Sequence, residues 1–361
     1  MKRWKLRTNL QLKFLVMGLW MVLMSLSLRL AAMTPAGSVL ARLDARQLWQ
    51  IAGECLSAQN VTADTASEKV ELPEKPPDTT ATAPQEEPPD TTAMALQEEP
   101  EPEIVPITFT GQEAEAIAIG GSAQSTVDKA SLLLSPLKMH PDAEPQVLIV
   151  HTHTSEAYTP EEGWEYEPTD EYRTLNPEYN VVRVGEEIAR ELRNLGIAVI
   201  HDTTVNDDPQ YQGAYERSYD CIAAQLAAHP SIQIVLDIHR DAAEDEEGNA
   251  LPRQTVVNDE SCAQLMLVVG TDEGGLAHPN WRENLAFALK LQALLNRTAP
   301  TLCRDLSLRT ERFNQHFTPC SLLVEVGAAG NTLAETLPSA RYLARALATL
   351  VEASSATDQT A

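Results

Sequence analysis

The apolar and polar positions of this chain fall into three regimes. Residues 1–13 carry Lys2, Arg3, Lys5, Arg7 and Lys13 and no acid, and residues 14–28 then run without a charge. Continued past Arg29 to Met33, the apolar stretch reaches about 20 residues, the length that crosses ~30 Å of hydrocarbon when the arginine snorkels to the far interface. The pattern predicts a cytoplasmic basic tail at 1–13 and a single transmembrane signal anchor at 14–33, with positive charge kept inside and the remainder extracytoplasmic. A cleaved signal peptide is the alternative reading, with 36–41 as its candidate cleavage region.

The second regime, 34–105, reads as an extracytoplasmic linker. Between Asp64 and Glu103 there are 12 acids against two lysines, interspersed with Pro, Thr and Ala, a composition that builds no core. It contains a duplicated dodecamer, PPDTTATAPQEE at 76–87 and PPDTTAMALQEE at 88–99, differing only at Thr82/Met94 and Pro84/Leu96. Repeated Pro-Pro with like charge gives an extended, self-repelling tether.

The third regime, 106–361, alternates short apolar runs with amphipathic stretches, the mark of an α/β layer fold. The runs at 147–150, 197–200, 232–238, 265–269 and 322–326 predict strands, and those at 181–195, 219–228, 281–295 and 341–351 predict helices. Val181, Val184, Ile188, Leu192 and Leu195 recur at helical spacing before Gly196. Continuous apolar strands linked by helices imply a three-layer domain, a mostly parallel sheet of about six strands between helices.

Charge and cysteine content remove several functions. The formal net charge is -25, and beyond residue 105 there are 17 basic against 38 acidic residues, so nucleic acid is excluded as a partner. Cys55, Cys221, Cys262, Cys303 and Cys320 are odd in number and include no C-x-x-C, which argues against a disulfide scaffold and a zinc ribbon. They read mostly as small core residues.

In such sheets catalytic groups stand at the carboxyl ends of strands. The first predicted strand, VLIV, runs into His151, His153 and Glu156; the third, IQIVLDIHRD, ends in Asp237, His239, Arg240 and Asp241; the last, SLLVEVG, holds Glu325. If the strand continued, residues 151 and 153 would face one side, because side chains alternate. Neutral imidazole plus carboxylate is a donor set for Zn²⁺, and a catalytic zinc keeps a position open for water. The ligands are read as one histidine of the first pair, His153 in preference to His151, with Glu156 and His239. Glu325 is then the proton-transfer group, and Arg240 a group for a substrate carbonyl or carboxylate. An acid inside an apolar strand is costly unless paired or functional, and a buried salt bridge is the plain alternative for Glu325. His316 is read as either lining the site or a loop histidine; His140, His201, His229 and His278 are read as surface residues.

The runs VLIVHTHTSEAYTP, VVRVGEEIARELRNLGI, VLDIHRD, RFNQHFTP and SLLVEVGAAGNTLAE, in this order, resemble the stage II sporulation protein P family of endospore-forming bacteria over roughly 145–352. The resemblance implies the fold of zinc-dependent N-acetylmuramoyl-L-alanine amidases. It also implies cleavage of peptidoglycan, at the amide joining stem peptide to muramic acid and at peptide cross-links. The implied setting is the sporulation septum during engulfment, with the stage II sporulation proteins D and M as partners. It matches the first-strand histidine and His239 to metal positions and Glu325 to the acid of the final strand motif; Glu186 or Glu187 compete with Glu156 for the remaining ligand. Two other readings stand beside it: a metal-dependent hydrolase barrel opening on H-x-H, which needs eight β/α units, and a non-catalytic extracytoplasmic scaffold with an amidase fold.

Overall fold

Continuous apolar runs become the central strands because burial on both faces leaves no place for alternation. All four residues of β2 (Val147–Val150) are buried, as are the first seven of β4 (Ile234–Asp241) and most of β9 (Cys320–Ala328). The computed structural model describes residues 107–139 and 145–358. The expected tail, anchor and linker lie outside the described residues, and among the described residues no helix is long and apolar enough to cross a membrane.

Together with β1 (Ile119–Gly121), β3 (Val199–His201), β7 (Leu265–Gly270) and β8 (Leu306–Arg309), these strands form a seven-stranded sheet of order β1-β8-β7-β9-β4-β2-β3. Five of its six pairings are parallel, and the β7–β9 seam alone is antiparallel. An open mixed sheet of this order is α/β, as expected, and is not an eight-unit barrel. The hairpin β5 (Gln254–Val257) and β6 (Glu260–Ala263) stands apart, turned by Asn258 and Asp259, both at positive φ.

The helices are α1 (Gly111–Ala116), α2 (Lys129–Leu134), α3 (Val181–Asn194), α4 (Ala214–Ala228), α5 (Trp281–Thr298) and α6 (Leu333–Asp358). Helix α3 starts where the Asn180 side chain accepts from the Val182 amide and ends at Gly196, whose φ of +81° needs no Cβ. Val181, Val184, Ile188 and Leu192 are buried as their spacing requires, whereas Leu195 is 41% exposed, because it lies past the last full turn. Helix α6 begins eight residues before the apolar period at 341 announces it, since its first turns bury Thr336 and Ser339 alongside Leu333 and so dilute the apolar period.

The layers are unequal, and this positions the site. Val147, Ile149, Ile234, Leu236, Ile238, Leu322, Val324 and Val326 share the main core with α3, α5 and α6. Leu148, Val150 and Val235, on the opposite face, share a small cluster with Ile222 of α4. Residues 237, 239 and 325 follow the parity of that thinner side.

Helices α3 and α6 are also joined by charge. Glu187, its side chain 6% exposed, meets Arg190 at 2.8 Å and Arg341 of α6 at 3.1 Å, and Arg345 meets Glu191 at 2.7 Å. Burial pushes the Glu187 carboxyl up, but its arginine partners outweigh this and hold it at about 2. With an unfolded value of ~4.3, the contribution is complete above that pH and lost as pH falls toward the folded value. Because the arginines are partly exposed, about 1–2 kcal/mol is expected. Glu187→Gln should therefore lower stability by about that amount near pH 7, with the gap to wild type closing between about pH 5 and pH 2, as read from urea midpoints.

Candidate active site

The site begins where β2 stops. After Val150 the chain turns instead of continuing as a strand, and Asp237 of the neighbouring strand holds the turn by accepting from the Thr152 amide (2.8 Å) and hydroxyl (2.6 Å). Thr154 Oγ1 donates to the His151 carbonyl at 2.8 Å, and the Ser155 hydroxyl donates to Asp207 at 2.6 Å. The turn separates the two histidines that an extended strand would have placed together.

His151 lies on the α3 side. Its Nδ1 donates to the Ile238 carbonyl at 3.0 Å, and its Nε2, left as acceptor, faces His201 Nε2 at 2.9 Å. Gly185 of α3 lies against both rings, where a Cβ would come within 2.7 Å of each. Burial, then the neighbouring His201, lowers the His151 pKa to about 3. His151 is thus an engaged, neutral core histidine, and the expectation that it shares a mouth with His153 is corrected. His201, whose side chain is 3% exposed, and His278, which is buried with Nε2 2.9 Å from Asn284 Oδ1, are likewise not surface residues.

His153 turns to the thinner side. Its Nε2 is 3.0 Å from the Tyr211 hydroxyl, the Tyr211 ring stacks on it at 4.4 Å, and Tyr215 and His239 present edges at 5.6 and 5.3 Å. Its Nδ1 is buried without a hydrogen-bond partner. His239 Nδ1 is 3.3 Å from Glu156 Oε2, while its Nε2 lies 2.9 Å from Asp237 Oδ1 without making a hydrogen bond. Burial opposes a charge on His239, but Asp237 and Glu156 outweigh it and raise its pKa well above the ordinary imidazole value. Glu156 responds in the opposite sense: burial pushes it up, and His239 and Arg240 bring it to about 2. The Arg240 amide donates to Glu156 Oε2 at 3.2 Å, and Arg173 stands 3.7 Å from Oε1 and 2.9 Å from Asp207.

Glu325 is set directly beside His239 by the register of β4 with β9, so both side chains project from one face. Its Oε2 is buried and has no hydrogen-bond partner. Burial first, then Glu156 and Asp241, lifts its carboxyl to about 8 against the pull of His239 and Arg240. It carries its proton at neutral pH.

Arg240 is placed differently from expectation. Its Nε donates to the Ala157 carbonyl and its Nη2 to the Tyr172 carbonyl, both at 3.1 Å, so the guanidinium ties down the loop after β2. Glu186 faces His201 and Arg193, and Glu187 faces α6, so neither reaches His153 or His239. His316 stacks on Tyr219 and Phe317, away from this group. Tyr211, Tyr215, Asp207 and Arg173, which complete the site, come from loops and a helix start with no apolar period to reveal them.

Among the described residues, no three His, Cys, Asp or Glu side chains are gathered closely enough to hold a metal ion, so His153, Glu156 and His239 do not form a closed cage. The donor chemistry nevertheless fits a cation. His153 Nδ1 is a buried nitrogen without a hydrogen bond, His239 offers an imidazole with Asp237 at one nitrogen and Glu156 at the other, and Glu156 is a carboxylate. An orphaned buried nitrogen such as His153 Nδ1 costs about 1–3 kcal/mol and calls for an explanation.

Residues 46–348 match the family model described as stage II sporulation protein P. The stage II sporulation protein P of Bacillus subtilis (strain 168) is 29% identical over 200 residues, 52% of this chain and 47% of that protein, so the chain spans about half the length of the curated relative it matches. Among solved structures, an N-acetylmuramoyl-L-alanine amidase of Nostoc punctiforme matches 61% of this chain and 99% of its own at 12% identity, with a TM-score of 0.33. One from Mycobacterium smegmatis matches 60% and 98% at 12% identity, with a TM-score of 0.35. The extent of the family match, which takes in the turn after β2, the end of β4 and the acid of β9, places this chain in the stage II sporulation protein P family.

Proposed function

We propose that this chain is a membrane-tethered peptidoglycan hydrolase that cleaves the amide joining the stem peptide to muramic acid, and peptide cross-links with it, in the septal wall during engulfment. The observation that carries this reading is Glu325. A half-buried carboxyl with one oxygen sealed from solvent and without a partner, protonated at neutral pH and set beside an imidazole between two carboxylates, is an expensive arrangement that packing alone does not need. In this reading His153, Glu156 and His239 would hold Zn²⁺, which when bound supplies a water acidic enough to attack an amide.

The other residues serve that step. Glu325, ionised when a cation occupies the site, would accept a proton from the attacking water and then pass it to the departing amine. Asp237 fixes both the turn that carries His153 and the ring of His239. Tyr211 orients His153 through Nε2, leaving Nδ1 to face inward. Stage II sporulation proteins D and M are the proposed partners, on the family resemblance alone. The scaffold reading draws on one observation, the absence among the described residues of a closed three-donor group.

The test is release of stem peptides from purified sacculi by the full chain in detergent. Glu325→Gln should lower kcat about 10²–10⁴-fold, and a chelator should abolish turnover that added zinc restores. Turnover indifferent to both treatments overturns the mechanism; no turnover with zinc and partner proteins present favours the scaffold.

The same substitution has a second readout in chelator-treated protein. An acid whose folded pKa is raised leaves stability intact below the unfolded value of ~4.3 and reduces it as pH climbs toward the folded value. Glu325→Gln should therefore be more stable than wild type by a few kcal/mol near pH 8 and nearly equal to it near pH 4.

His153→Ala should lower metal affinity by more than the ~10–100-fold typical of an outer partner. His151→Ala should lower the melting temperature and leave metal stoichiometry unchanged, measured by metal analysis beside calorimetry.

A further inference from the structure

A cavity of about 300 Å³ opens beside the site, lined by Tyr215, Leu276, Glu311, Arg312, Phe313 and Asn314 among others. It is one ring away from the histidines, because Tyr215 contacts His153 at 5.6 Å on one side and Phe313 at 5.9 Å on the other. The wall next to Tyr215 is tied to it. Phe313 and Asn314 both have positive φ, 51° and 59°, and Asn314 Nδ2 donates to the Tyr215 carbonyl at 2.8 Å and Ser218 Oγ at 3.1 Å. A phenylalanine in the left-handed region is strained, and such strain gathers at ligand clamps.

The chemistry of the cavity is one-sided. Arg312 donates through Nη1 to the Ala277 carbonyl at 3.2 Å, but its Nε is buried without a hydrogen-bond partner. Among the described residues no carboxylate stands within ion-pair distance of it. The one acid of the lining, Glu311, is half-exposed and lies 3.5 Å from Arg309. In a chain with a formal net charge of -25, a guanidinium without an acid partner in the lining of a cavity beside the site leaves a positive charge to be matched. Such a fork matches a carboxylate.

We propose that this cavity is a subsite for the peptide portion of the substrate, in which Arg312 pairs with a free carboxylate of the stem and Tyr215, Leu276 and Phe313 pack its aliphatic part. This rests on the peptidoglycan reading and adds polarity to it. In that substrate the lactyl carboxyl of the glycan is consumed by the scissile amide, so free carboxylates lie on the peptide side. The peptide therefore extends from His153 past Tyr215 toward β7 and β8, and the glycan lies on the other side of the site. The volume is at the lower end of the range for small-ligand sites, ~300–1,000 Å³, which suits a short peptide segment.

Binding separates this proposal from the activity. The full chain carrying Glu325→Gln is titrated calorimetrically with synthetic N-acetylmuramoyl-L-alanyl-D-glutamic acid, both glutamyl carboxyls free or both amidated. The free acid should bind about 10- to 100-fold tighter than the amide, the span expected for a hydrogen-bonded charge pair, and Arg312→Gln should erase the difference while leaving amide binding unchanged. Should Arg312→Gln fail to fold, Leu276→Glu, at a residue 43% exposed on the rim, should weaken the free acid alone. Equal binding of the two forms, or an equal loss of both on Arg312→Gln, overturns the subsite even if sacculi are hydrolysed. Discrimination that depends on Arg312 upholds it even if they are not.

Discussion

The pairing of β4 with β9 sets His239 against Glu325, and the rest of the site follows from how the two can share a buried face. Asp237 and Glu156 flank the imidazole, so the cation that His239 becomes is compensated twice. Glu325 receives no such compensation beyond proximity, and burial keeps it protonated. In a medium of low effective dielectric, a third carboxylate beside two ionised ones stays neutral unless another positive charge arrives. That asymmetry gives three acids of similar chemistry two different roles.

The face on which this happens is decided by packing far from it. The main core joins one side of the sheet to α3, α5 and α6, and the opposite side carries only a small apolar cluster under α4. Side-chain parity then sends Asp237, His239 and Glu325 toward the thin side, and the first turn of α4 brings Tyr215 over His153. Asp237 has a double part: it fixes the turn after β2 through Thr152 and flanks His239, so the order of the loop and the charge of the site depend on one carboxylate.

The strands were legible where the sequence is apolar without interruption, as at VLIV and SLLVEV, and Glu325 stood out because nothing else in its strand is charged. The short strands β1 and β8 were not, since three mostly exposed residues in β1 and four residues in β8 are too few to show a period. The rule of alternation misplaced His153, not His151, which keeps the parity of Val147 and Ile149: the rule holds only while the backbone stays extended, and the chain turns after Val150. Once it turns, parity is replaced by the hydrogen bonds of Thr152, Thr154 and Ser155. Arg240 looked available for substrate because its charge is visible in the sequence, whereas the carbonyls of Ala157 and Tyr172 that hold it are not.

Among the described residues, four of the nine buried side-chain atoms without a hydrogen-bond partner lie in the places that the function would use; the other five are on Arg253, His278, Gln292, Arg309 and His316. His153 Nδ1, His239 Nε2 and Glu325 Oε2 belong to the β2–β4–β9 group, and Arg312 Nε to the loop that walls the neighbouring cavity. Each lowers stability by about the value of a lost hydrogen bond, and evolution removes such groups from cores by apolar replacement when nothing else is gained. Tyr215 contacts both His153 and Phe313, so in the proposed reading one end of this stretch would handle protons and the other would present a positive charge. A substrate that satisfies both ends would relieve the desolvation cost at each. In the proposed binding mode that cost would convert a modest contact at Arg312 into orientation at Glu325, because a stem carboxylate held in the cavity would leave the amide little freedom to approach the histidines in any other direction.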